Sequence, residues 1–205
     1  PSGGTTREPR PSASQIVGGD PRSLLSSDDI DRFCLPLSGA VLPARAVFDA
    51  RTTRRPMRAV ADRITWRVAK FGFALVPLHV PHHWALGVVR PGIVYVLDSA
   101  PVPANHAMLR TLIGRLKLGA VRFLPGPLRQ PDHTNECGLH VIRSIFIATA
   151  FDVDTLLLSG SIHDPPIRSL ESWRGALAQA TDRIGFRMDV QFARDLFGDT
   201  KHGGR

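Results

Sequence analysis

Between Phe73 and Ser99 the sequence breaks into three short apolar runs, FALVPLHV, HWALGVV and IVYVLDS, rich in β-branched residues and separated by turn signals. Runs of this length, with Arg90-Pro91-Gly92 between the second and third, predict a hairpin inside a small sheet, and they leave the rest of the chain to cover it. The flanking segments have helical periodicity. Ser26 precedes an apolar set at Ile30, Phe33 and Cys34, with acids in the first turn where the helix dipole favours negative charge, and Pro36 ends that helix. A second helix is expected from about Pro56 through Val60, Ile64 and Val68. Leu109, Leu112, Ile113 and Leu116 mark an amphipathic helix closed by Gly119, and a strand follows at Ala120 to Leu124. Leu139, Ile142, Ile145 and Phe146 suit a buried helix that starts at Cys137. Two last helices are expected, one from Ser169 with Leu170, Trp173, Leu177 and Ile184 on a face, the other around Val190 to Phe197. Trp66 and Trp173 read as packing residues on such helices. The fold class is α+β, a small central mixed sheet flanked by helices.

A chain of 205 residues suits one compact domain. Residues 1–22 are rich in Pro, Ser, Gly, Thr and Arg and offer almost nothing apolar to bury, so a disordered tail is expected there. Residues 23–198 hold the folded domain and residues 199–205 a flexible C-terminus. No apolar run approaches the roughly 18–20 residues of a membrane-spanning helix, and residues 1–22 lack a leader's apolar stretch, so a soluble chain without a membrane partner is expected. Two cysteines, Cys34 and Cys137, are too few for a disulfide framework or a four-cysteine zinc site, and they suit a reducing compartment.

The formal charge is +8, and with only three lysines arginine carries nearly all of it. The planar guanidinium fork matches carboxylates and phosphates, so an acidic partner or a polyanion is implied, although charge does not separate an acidic protein from nucleic acid. A solvated basic surface fits as well. The run Arg51, Arg54, Arg55 and Arg58 is read as such a solvated face.

A cysteine at a helix N-terminus is a candidate nucleophile, because unpaired N–H groups and the helix dipole favour the thiolate. It needs a histidine to move the proton, a carboxylate to hold the imidazole, and donors for the oxyanion. His83 opens one strand of the hairpin and Asp98 closes the other. With neighbouring strands about 4.8 Å apart, this places His83 Nδ1 within reach of Asp98. Gln130, seven residues before Cys137, can bring its amide to the oxyanion site beside the Cys137 N–H. Cys34, on an apolar helix face, reads as an inert hydrophobe. His79, His82 and His83 crowd one segment, but strand alternation turns neighbours to opposite faces and no carboxylate or cysteine lies near in sequence, which argues against a metal site. His82 is the local rival of His83 as base.

At LLSSDDIDRF, VPLHVPHHWALGVV, VYVLDSA and RQPDHTNECGLHV, in that order from Leu24 to about Thr149, the sequence resembles the ubiquitin-like-protein proteases of the SUMO-protease (sentrin-specific) type, and more distantly adenain. The resemblance implies a papain-like, adenain-type cysteine protease fold with residues 23–198 as the catalytic domain. It implies His83, Asp98 and Cys137 as the triad, Gln130 as the oxyanion residue, and Trp84 packing over the diglycine tail of a modifier in a narrow tunnel. Most SUMO proteases place the glutamine six residues before the cysteine, where Pro131 stands here; Gln130 matches the spacing of adenain. Leu24 stands where a tunnel tryptophan is frequent, and the stretch from Asp98 to Cys137 is short. The expected function is a thiol peptidase or isopeptidase acting on SUMO, NEDD8 or ubiquitin and their conjugates, as a monomer without a cofactor. The expected setting is nucleus or cytoplasm, or a host cell receiving an effector. Two alternatives stay open: an adenain-like maturation protease of a virus or mobile element, and a catalytically silent basic module binding a modifier or nucleic acid.

Overall fold

The computed structural model describes residues 24–52, 56–125, 129–130, 134–158, 170–181 and 188–197. The expected tail at 1–22 and C-terminus at 199–205 lie outside the described residues, as do Arg54, Arg55, Ser169 and Ile184.

The sheet follows the strand pattern of the sequence. Strands β1 (Ala74–Val80), β2 (His83–Arg90) and β3 (Ile93–Asp98) form two successive antiparallel hairpins, and β4 (Ala120–Pro125) joins parallel to β3. The β1–β2 connection is only Pro81 and His82. Proline fixes the first turn position, and His82 takes the left-handed φ of 59° that so tight a reversal requires. Parallel pairing of β3 with β4 needs a crossover, which the amphipathic helix at Leu109 to Leu116 supplies.

Both faces of the sheet are covered, so β1 and β2 are buried almost throughout. On one face, α1 (Ser27–Cys34), the long helix α5 (Cys137–Ala150), α6 (Val153–Leu158), α7 (Leu170–Thr181) and α8 (Val190–Phe197) enclose Trp84, Leu86, Val88 and Leu97. On the other, α2 (Ala44–Thr52), α3 (Met57–Phe71) and the crossover helix α4 (Pro103–Leu116) enclose Val76, Leu78, Ala85, Val94 and Val96. The apolar residues expected on the crossover helix, Leu109, Leu112, Ile113 and Leu116, are all buried.

Helix α1 begins in a full capping box: the Ser26 hydroxyl accepts the Asp29 N–H at 3.2 Å, and the Asp29 carboxylate accepts the Ser26 N–H at 2.9 Å. Asp31, from the same helix, accepts the N–H groups of Ala44 and Arg45 and so caps α2, thirteen residues further on. Helix α5 is buried along nearly its whole length, which is why its sequence is mostly apolar, with His140, Arg143 and Ser144 buried among the apolar side chains. Of the two tryptophans expected to pack, Trp173 is wholly buried, edge-on to Phe146 with centroids 5.6 Å apart. Trp66 is not: it is 53% exposed on the outer side of α3, with Lys70 Nζ 4.9 Å from its ring centre. The apolar stripe of α3 runs through Val60 and Ile64, and residue 66 falls off that stripe.

Candidate active site

Three elements meet at one end of the sheet. His83 is the first residue of β2 and Asp98 the last of β3. Because Leu86 pairs with Leu97, one further step along the ladder sets position 98 opposite Ala85, and His83 is the diagonal neighbour on the same side. The two side chains meet, with His83 Nε2 2.9 Å from Asp98 Oδ1. Strand spacing alone points to Nδ1 at the carboxylate. Strand register brings the residues together, but the side-chain torsions decide which ring edge turns to the partner, and here they present Nε2. The Cys137 side chain hydrogen-bonds the same imidazole.

Cys137 is the first residue of α5. Its neighbour Glu136 makes no side-chain cap and instead accepts a 2.7 Å bond from Arg174 Nη1 on α7. No side chain of the cap position therefore takes a backbone N–H of the first turn. Such N–H groups carry the positive end of the helix dipole, the environment that favours a thiolate or an oxyanion. Gly138 is required next. A Cβ there would stand 2.9 Å from the Leu25 Cβ, so only glycine lets α5 start against the segment entering α1.

Burial alone would push the His83 pKa down, yet the hydrogen bonds to Asp98 and Cys137 and their negative charges outweigh it and raise it to about 9. Burial would also raise the Asp98 pKa, but the bond and charge of His83, the Ala100 N–H at 2.9 Å and the His106 charge hold it below the ordinary value. At neutral pH this pair is an imidazolium on a carboxylate. Cys34 differs in kind. It is fully buried at the end of α1, and burial, then Asp31, pushes its thiol well above the usual range, as expected of an inert cysteine.

The other histidines of the segment separate cleanly. His82 is exposed in the turn. His79 is wedged between Phe48 and Trp84, with ring centres 4.9 and 4.4 Å away. Its burial, with Arg51, His83 and His82 nearby, lowers its pKa to about 4. Trp84 is 2% exposed, and its indole N–H donates to the Leu25 carbonyl at 3.0 Å, locking the segment before α1 onto β2.

Gln130 is moored to the end of β3. Its N–H donates to the Ser99 carbonyl at 2.8 Å, its side-chain oxygen faces the Ser99 hydroxyl at 3.4 Å, and its amide nitrogen donates to the Thr134 carbonyl. One amide N–H remains beyond the Thr134 bond.

Two contacts of this site carry no sequence signal. His106, near the start of α4, sets Nε2 3.3 Å from Asp98 Oδ2, off the line of a good hydrogen bond, while its ring stacks on Phe123 at 3.9 Å. Arg174 reaches Glu136 from a helix 38 residues away. Both depend on how helices dock and not on local spacing.

No protein-family model matches this sequence, and no curated protein matches it. Solved structures with a similar architecture include a de-sumoylating protease, with a TM-score of 0.49 and 10% identity over 90% of this chain and 85% of that one. The effector protein XopD of Xanthomonas campestris, bound to ubiquitin, gives a TM-score of 0.46 and 17% identity over 96% of this chain and 98% of that one. The Ulp1-like SUMO protease catalytic domain of Chaetomium thermophilum gives a TM-score of 0.46 and 14% identity, covering 82% of this chain and 86% of that one.

Proposed function

We propose that this chain is a thiol peptidase or isopeptidase that cleaves after the C-terminal diglycine of a ubiquitin-like modifier. The observation that carries the reading is the chain of contacts from Asp98 through His83 to Cys137 at the head of α5. Cys137 Sγ attacks the carbonyl of the last glycine, and the oxyanion is held by the Cys137 N–H with the Gln130 amide. His83 gives its proton to the leaving amine, which frees a thioester. It then draws a proton from water, which attacks the thioester, releases the glycine carboxylate and restores the starting pair. Asp98 keeps the imidazole oriented and stabilises its charge.

Burial supports the diglycine. Cys137, His83 and Trp84 are 2%, 5% and 2% exposed, so little room is left for substrate side chains next to the sulfur. Glycine brings only backbone into so close an approach. In this reading Trp84 lines the passage, the basic surface meets an acidic modifier, and the enzyme acts as a monomer in nucleus or cytoplasm, or in a host cell that receives it.

The test is turnover of precursors and isopeptide conjugates of SUMO, NEDD8 and ubiquitin by the whole chain. Cys137→Ala should lower kcat/KM by about 10⁴-fold while thermal unfolding stays unchanged; undiminished turnover removes the assignment. A maturation protease of a virus or mobile element would use the same chemistry, and the seven-residue step from Gln130 to Cys137 favours it. That enzyme would ignore all three modifiers and cut a polyprotein site.

A further inference from the structure

A cavity of about 310 Å³ opens on the face of the sheet covered by α2, α3 and α4, between the end of α2, the β1–β2 turn and the outer turns of α4. Val80, Pro81, Met108 and Leu112 line it together with two arginines, Arg51 from α2 and Arg115 from α4. No carboxylate is among the described residues that line it, and among the described residues neither guanidinium forms an ion pair. Arg51 is half-buried, and its Nε is buried without a hydrogen-bond partner among the described residues. A buried N–H left unmatched is costly, and an anionic oxygen would satisfy it. The local field is positive enough for Arg51 to help depress the titration of His79.

We propose that this cavity binds a small amphiphilic carboxylate, with its apolar body against Val80, Met108 and Leu112 and its carboxylate bridging Arg51 and Arg115. The two arginines select the charge, since a guanidinium fork matches two carboxylate oxygens. The apolar lining selects the body. A nucleic-acid phosphate would meet two cations and an otherwise largely apolar lining, which is the wrong chemistry for a polyanion track. Small-ligand cavities run from about 300 to 1,000 Å³, so this one suits a short chain of about six to eight carbons. The site draws nothing from the proposed proteolysis and stands or falls separately.

The test is an NMR and calorimetric titration of the full chain with octanoate, octanol and acetate as probes. Octanoate should bind at least tenfold more tightly than octanol or acetate. The double variant Arg51→Gln, Arg115→Gln should lose at least tenfold in affinity. Thr111→Trp, at an exposed lining position, should block binding with both arginines in place. If the double variant unfolds, Arg115→Gln alone, also at an exposed position, should weaken binding at least threefold. Octanol binding as tightly as octanoate, no octanoate binding, or octanoate affinity unchanged in Arg115→Gln or Thr111→Trp overturns the proposal.

Discussion

His106 approaches Asp98 from the side opposite His83, with its Nε2 3.3 Å from Oδ2 while His83 Nε2 stands 2.9 Å from Oδ1. One buried carboxylate thus serves two imidazoles, one at the core of the site and one at its rim. The positive charge His106 can carry is one of the influences that hold the Asp98 carboxyl below its ordinary value. His106→Gln removes it, so the Asp98 pKa should rise, read from the side-chain carboxyl carbon shift in an NMR pH titration. A downward displacement, or none, would mean that the rim histidine does not feel the carboxylate.

The same ion pair makes stability depend on pH in a defined window. His83 is raised from an ordinary 6.5 to about 9 in the folded protein, so its contribution is complete below pH 6.5 and is lost as pH climbs through 9. Asp98 is depressed, so its share is present above its ordinary value near 3.8 and is lost only as pH falls through its lower folded value. Asp98→Asn should therefore cost about 1–3 kcal/mol at pH 6 and distinctly less at pH 9.5. Urea unfolding at both pH values checks this, and an equal cost at each pH would show that the pair is not charged in the fold.

Gly138 should resist substitution more than any helix propensity suggests. Alanine normally favours a helix over glycine by about 1 kcal/mol, but here its methyl would press on Leu25, whose carbonyl also holds the Trp84 indole. Gly138→Ala is expected to destabilise by about 1–3 kcal/mol and to shift Trp84 emission as its hydrogen bond is disturbed. A stabilised variant with unaltered fluorescence would contradict the packing described here.

The parts of this fold legible in the sequence are those set by local period. Strands β1 to β3, the crossover helix and α5 declare themselves because each buries a regular set of positions. Helix α2 does not: its buried side chains are Ala44, Val47 and Ala50, two of them no larger than a methyl, and its cap is Asp31 from another helix. Short α6 is similarly started by the Asp152 carboxylate, which accepts the Thr155 N–H at 2.6 Å. At the site, the order His83, Asp98, Gln130, Cys137 is visible as residue type at strand and helix ends. The ring edge that His83 offers to Asp98, the approach of His106 and the grip of Arg174 on Glu136 are products of torsions and helix docking, which no spacing in the chain encodes.

Covalent trapping tests the central claim most directly. The chain is incubated with vinyl sulfone probes of SUMO, NEDD8 and ubiquitin, and the modified residue is mapped by mass spectrometry. One adduct per chain is expected, on Cys137, with at least one probe, and it should be lost in His83→Ala. No adduct with any of the three, or modification at Cys34 in place of Cys137, would contradict it.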